Sequence, residues 1–94
     1  MATVGVLTLE LRIEDAHSLK DKRHVVKGLK DRLRARFNVA VAEIDFEDVW
    51  QRALVAAVTV SSSRERAEQV LQAVEEDAAG VLGGSLVSTA VEWL

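Results

Sequence analysis

Cysteine is absent from this chain. That excludes a disulfide framework, a thiolate zinc site, an iron–sulfur cluster and a cysteine nucleophile, and it fits a reducing cytoplasm. Proline is absent too, and neither a repeat nor a linker divides the 94 residues. They read as one domain, residues 1–94, large enough for a single core without staples. Long apolar runs are missing: nothing approaches the roughly 20 residues that a membrane span needs. The N-terminal stretch MATVGVLTLELRIED has no basic segment leading into an apolar run, so no signal peptide is expected. At 49% apolar and 29% charged residues the composition is that of a globular chain rather than a disordered one.

What is present is ordered by hydrophobic period. Val4 to Ile13 carries Leu7, Leu9, Leu11 and Ile13 on one face and Val6, Thr8, Glu10 and Arg12 on the other, the pattern of a half-buried strand. After EDAHS, Ser18 with Asp21 three residues on predicts a capped helix start. Leu19, Val26, Leu29, Leu33 and Phe37 then keep helical spacing to about Arg36. Val39 to Phe46 reads as a second strand, closed by Glu43, Asp45, Glu47 and Asp48 around a turn. Arg52 to Ser61 is a third strand, apolar on both faces and therefore central. Ser62 and Glu65 predict the cap of a second helix, with Ala67, Val70, Leu71, Val74 and Ala78 as its stripe and Gly80, Gly83 and Gly84 as its stop. Ser85 to Trp93 is the last strand. The order β-α-β-β-α-β, with short connections and right-handed crossovers, predicts an α+β ferredoxin-like sandwich: a four-stranded antiparallel sheet with two helices on one face. That fold hosts many unrelated functions.

Chemical motifs are few. His17 and His24 stand seven apart, about 10 Å along a helix and too far to share a metal. Glu43, Asp45, Glu47 and Asp48 lack calcium-loop spacing and read as a solvated hairpin end. GVLGGS follows a helix and enters a strand, the reverse of a phosphate cradle. Ser61, Ser62 and Ser63 are explained by capping. Phe37, Phe46, Trp50 and Trp93 lie outside the expected central strands, which argues against bases stacked on the sheet as in an RNA-recognition motif. No catalytic residue, metal or cofactor is expected; a ligand beside His17 or Asp48 would revive an enzyme.

Charge is the one strong asymmetry. His17 to Phe37, HSLKDKRHVVKGLKDRLRARF, holds eight of the twelve basic residues against two acids, in a chain of net charge -3. The remainder therefore carries about -9, a segregation steeper than solubility requires. On a wheel of about 100° per residue, Lys20, Arg23, Lys27, Lys30 and Arg34 fall within a quarter-turn. Cations one helical turn apart can track phosphates without reading bases. Lys22 and His17 are placed with them at the helix start. An acidic protein surface, including a second copy, is the competing partner, and a pI of about 5.3 counts against nucleic acid.

HSLKDKR at His17 to Arg23, then RLRARFNVAVAEID and WQRA at Trp50 to Ala53, resemble the YlxP-like family of small bacterial proteins of unknown function. The resemblance spans nearly the whole chain, its last third in pattern only. It implies the same ferredoxin-like fold and a bacterial cytoplasmic setting. Its members often stand beside genes for translation initiation and ribosome maturation, which implies RNA or the ribosome as partner. It implies no catalytic residues, and marks His17, Lys20, Lys22 and Arg23 as the matched positions.

The uncovered sheet face predicts one further partner. Leu54, Ala56, Val58 and Val60 fill one face of the third strand and Ala53, Val55 and Ala57 the other, so one apolar set serves the core and the second is left over. Val4 and Val6 add to the uncovered side, and the last strand is apolar on both faces around Val87, Ala90 and Val91. Such a patch exceeds what a soluble monomer usually exposes, so a homo-oligomer through the open sheet face is expected.

Overall fold

Alternation decides which face of each strand is covered. In the computed structural model, which describes residues 1–94, the chain runs β1 (Thr3–Arg12), α1 (Leu19–Arg36), β2 (Ala40–Asp45), β3 (Arg52–Ser61), α2 (Arg64–Leu82), a 3-10 turn Gly83–Ser85 and β4 (Leu86–Trp93). The strands form one antiparallel sheet ordered β2-β3-β1-β4, with both helices on one face, the ferredoxin-like arrangement expected from the element order. β3, apolar on both faces, is indeed internal, between β2 and β1.

Register pairs Leu7 with Ala57, Leu9 with Val55 and Leu11 with Ala53, and these six residues are fully buried beneath the helices. They join Val26, Leu29 and Leu33 of α1 and Leu71, Val74 and Ala78 of α2 in one core cluster. Leucines of β1 set against Ala57, Val55 and Ala53 of β3, all smaller, keep this layer thin enough for helices to settle on it.

Several boundaries differ from the sequence reading: β1 runs Thr3–Arg12 rather than Val4 to Ile13, and β2 Ala40–Asp45 rather than Val39 to Phe46. Ser63, not Ser62, caps α2: its hydroxyl accepts the Arg66 N–H at 3.2 Å, while the Ser61 hydroxyl accepts the N–H of Ser63. Gly80 does not stop the helix. α2 runs on to Leu82, and Gly83, at φ 55, makes the left-handed turn that ends it. β4 accordingly begins at Leu86.

Candidate functional site

Ser18 opens α1 as the sequence predicts, its hydroxyl accepting the Asp21 N–H at 3.1 Å. Asp21 reaches back one residue further than a capping box requires, to the N–H of His17 at 3.0 Å. These bonds fix the first turn from which the basic residues project. Lys20, Arg23, Lys27 and Arg34 are exposed and Lys30 is half-buried. Arg23, Lys27, Lys30 and Arg34 line one open groove with Glu43 of β2, so the helix stripe runs beside the sheet's β2 edge.

Lys22 does not belong to that stripe. It is completely buried, and its ammonium donates to the carbonyls of Phe46 at 2.6 Å, Glu47 at 3.0 Å and Arg52 at 3.3 Å. Three carbonyls take the three protons that an ammonium has, so the Glu43 carboxylate, 2.9 Å away, is held by charge rather than by a well-formed hydrogen bond. Placing Lys22 among phosphate ligands was therefore a misreading. Its spacing already said so: Lys22 precedes Val26 by four residues and Leu29 by seven, on the buried stripe of the helix. Of the acidic turn, Asp45, Glu47 and Asp48 are exposed as expected, an Asp45 carboxylate oxygen accepting the Phe46 N–H at 2.8 Å, whereas Glu43 is turned inward to the buried lysine. Phe46 holds a positive φ of 62 there, with the Arg52 guanidinium stacked 3.9 Å from its ring centre.

The remaining cations divide by partner. Arg32 and Arg36 both reach Asp77 of α2, at 2.8 and 2.9 Å, and tie the helices together. The Arg32 hydrogen bond, more than the surrounding charge, holds the Asp77 carboxyl below its ordinary range. Asp31 stands inside the stripe, paired with Lys27 at 2.5 Å and Arg34 at 2.8 Å, and hydrogen bonds from both hold its carboxyl below its ordinary range. Lys20, Arg23 and Lys30 have no carboxylate partner. His17 and His24 are exposed. No three of the histidine, aspartate and glutamate side chains come together in a way that could hold a metal ion.

Two of the three segments that carry the resemblance meet at this end of the molecule. Lys22 of HSLKDKR ties down the β2–β3 connection, and Gln51 of WQRA donates to the carbonyls of Glu14 at 3.0 Å and Ala16 at 3.3 Å, ahead of α1. Ser18, Asp21, Lys22 and Gln51 thus have architectural duties, whereas the side chains of Lys20, Arg23, His17 and Trp50 are exposed at the same end.

Comparison with known proteins agrees with this architecture. The profile of a family described as "Protein of unknown function (DUF503)" matches residues 4–90. The uncharacterized protein YlxP of Bacillus subtilis is 44% identical over 71 residues, covering 76% of this chain and 77% of that protein. Among solved structures, the de novo designed protein Foldit4 superposes with a TM-score of 0.61 at 12% identity, over 100% of this chain and 97% of that one. A dimeric ferredoxin-like protein of unknown function from Thermobifida fusca gives 0.50 at 13% identity, over 97% and 90%. These two likenesses concern the fold alone. No helix is long and apolar enough to cross a membrane.

Proposed function

The chain belongs to the DUF503 family, and we propose that it is a non-enzymatic cytoplasmic protein that contacts RNA, in the setting of the ribosome, through the outward face of α1. Lys20, Arg23, Lys27, Lys30 and Arg34 hold phosphates, with His17 at the helix start. One observation carries this reading: five cations leave one side of a capped helix, and three of them have no acidic partner. Their spacing of three and four residues sets them about 5 Å apart along the helix axis, a row of cations that can track phosphates. Anisotropy titration of a fluorescent RNA hairpin tests it. Affinity falls steeply with salt, with a log–log slope of about -2.7 to -4.5 for three to five neutralised phosphates. The triple reversal Lys20→Glu, Arg23→Glu, Lys30→Glu removes binding. Binding that survives the reversal, or none at low salt, sinks the reading. Co-purification that survives nuclease points instead to an acidic protein partner.

A second observation supports self-association through the open sheet face. Val60 is 55% exposed there, beside half-buried Val4, Val6, Leu54 and Val58. Four strands about 4.8 Å apart and nearly 30 Å long present on the order of 500 Å² per copy, so a face-to-face pair reaches the roughly 1,000 Å² at which specific interfaces begin. The solved Thermobifida fusca protein of this fold is described as dimeric. A two-fold pairing of these faces leaves α1 outward, so both readings hold together.

A further inference from the structure

The two edges of the sheet are not equally protected. β2 is six residues long and irregular between Glu43 and Asp45. β4 runs in unbroken register with β1 from Ser88 to Trp93, and its eight residues include no lysine and no proline. Its register shift lies at the Leu86 end and its one charge is Glu92, so from Ser88 to Trp93 the edge offers a row of unpaired backbone groups with no bulge, lysine or proline against strand addition.

Alongside it lies a groove of about 260 Å³ between α2 and β4. Leu7 and Leu71 lie in its lining with Val91 and Trp93, and Glu68, Gln72 and Glu75 of α2 complete it. Val91 points to the helix-covered face, being register partner of Leu7, yet it stays 49% exposed because α2 does not reach over it. Trp93 is fixed from both sides. It lies over Gly5, where an added Cβ would meet ring atom Cζ3 at 2.5 Å, and the Arg64 guanidinium stacks 3.9 Å from its ring centre. Glu68 is paired with Arg64, whereas Glu75 has only the Thr89 hydroxyl, so the groove is negative at its Glu75 end.

We propose that the outer edge of β4 accepts an extended segment of a basic partner protein as a fifth strand, with a lysine or arginine laid along the groove opposite Val91. The stem of such a side chain covers exposed Val91 beside the partly exposed Trp93 and carries its charge to Glu75, while main-chain hydrogen bonds supply the pairing. A second copy fits less well. Strand pairing about a two-fold axis through the middle of β4 sets one Glu75 carboxylate against the other, and like charges oppose that contact.

The test uses capped seven-residue peptides of alternating threonine and valine, with lysine at the central groove-facing position in one and glutamate in the other. Titrated into isotope-labelled protein, the lysine peptide shifts the amide signals of Leu71, Gln72 and Val91. It slows exchange at least tenfold for the β4 amides that point away from β1, and leaves α1 unmoved. It binds at least fivefold more tightly than the glutamate peptide at low salt. Val91→Arg, which fills the groove with the chain's own cation, removes binding; should that variant lose its native spectrum, Glu75→Gln decides by erasing the preference for lysine. Unchanged β4 amides at millimolar lysine peptide overturn the proposal, as does equal binding of both peptides. Concentration-dependent protection of β4 without peptide also overturns it, in favour of a second copy at this edge.

Discussion

Lys22 of α1 and Glu43 of β2 stand 2.9 Å apart inside the molecule, with the ammonium also bonded to three carbonyls of the β2–β3 connection. A charge so buried is tolerable only because every proton has an acceptor and a carboxylate balances it. The contact joins the start of α1 to the strand edge beside which the basic stripe runs, so it places the candidate interface without taking part in it.

Removing that lysine leaves three carbonyls and a carboxylate without their partner. Lys22→Met therefore costs about 3–5 kcal/mol, read as a lower urea midpoint at unchanged slope. Adding Glu43→Leu removes the orphaned carboxylate and recovers part of the loss. A cost near zero for the single variant contradicts the buried contact.

Asp77 makes stability depend on pH. Its carboxyl is held below the ordinary range, chiefly by the Arg32 hydrogen bond, so the folded state binds its proton less readily than the unfolded chain does. The contribution is complete above about pH 5 and is lost as pH falls through the usual carboxylate value near 4 and below. Asp77→Asn loses about 1 kcal/mol at neutral pH, since both arginines are half in solvent, and flattens the acid limb of the stability profile. Thermal midpoints of the two proteins between pH 3 and 7 converge at the acid end.

Asp31 restrains the basic face. Asp31→Asn releases Lys27 and Arg34 from their shared carboxylate, so RNA binding strengthens and its salt slope steepens by about one to two. An unchanged slope means that these two cations do not meet phosphate.

Gly5 is required by Trp93. In Gly5→Ala the new methyl meets Trp93 Cζ3 at 2.5 Å and Leu71 Cδ1 at 2.8 Å, and overpacking of this kind costs about 1–3 kcal/mol. The displaced indole changes the emission of a Trp50→Phe background, in which Trp93 is the only tryptophan. Unaltered emission and stability contradict the packing.

The dimer is checked by sedimentation at micromolar concentration. The parent runs at twice the 10.3 kDa chain mass, and Val6→Lys with Val58→Lys, neighbours in register on the open face, runs as a monomer. A parent of monomer mass ends that reading.

Local periodicity determined much of this protein. Leu7, Leu9 and Leu11 at every second position and Val26, Leu29 and Leu33 at helical spacing fix strand, helix and covered face, because each element must bury its apolar side. With the short connections, they also determine the fold. The same arithmetic put Lys22 on the buried stripe, but charge alone groups it with its neighbours, and only the tertiary structure supplies the acceptors that let an ammonium stay inside. Phe46, Glu47 and Arg52 lie 24 to 30 residues away in sequence, and main-chain carbonyls leave no mark on residue type. Nor does the sequence say which cations are already paired: Asp31 claims Lys27 and Arg34 across a helical turn, whereas Asp77 claims Arg32 and Arg36 across the helix–helix contact. The exposed groove at Val91 depends on how far α2 reaches over β4. Packing of whole elements sets that distance, and no pattern within β4 encodes it.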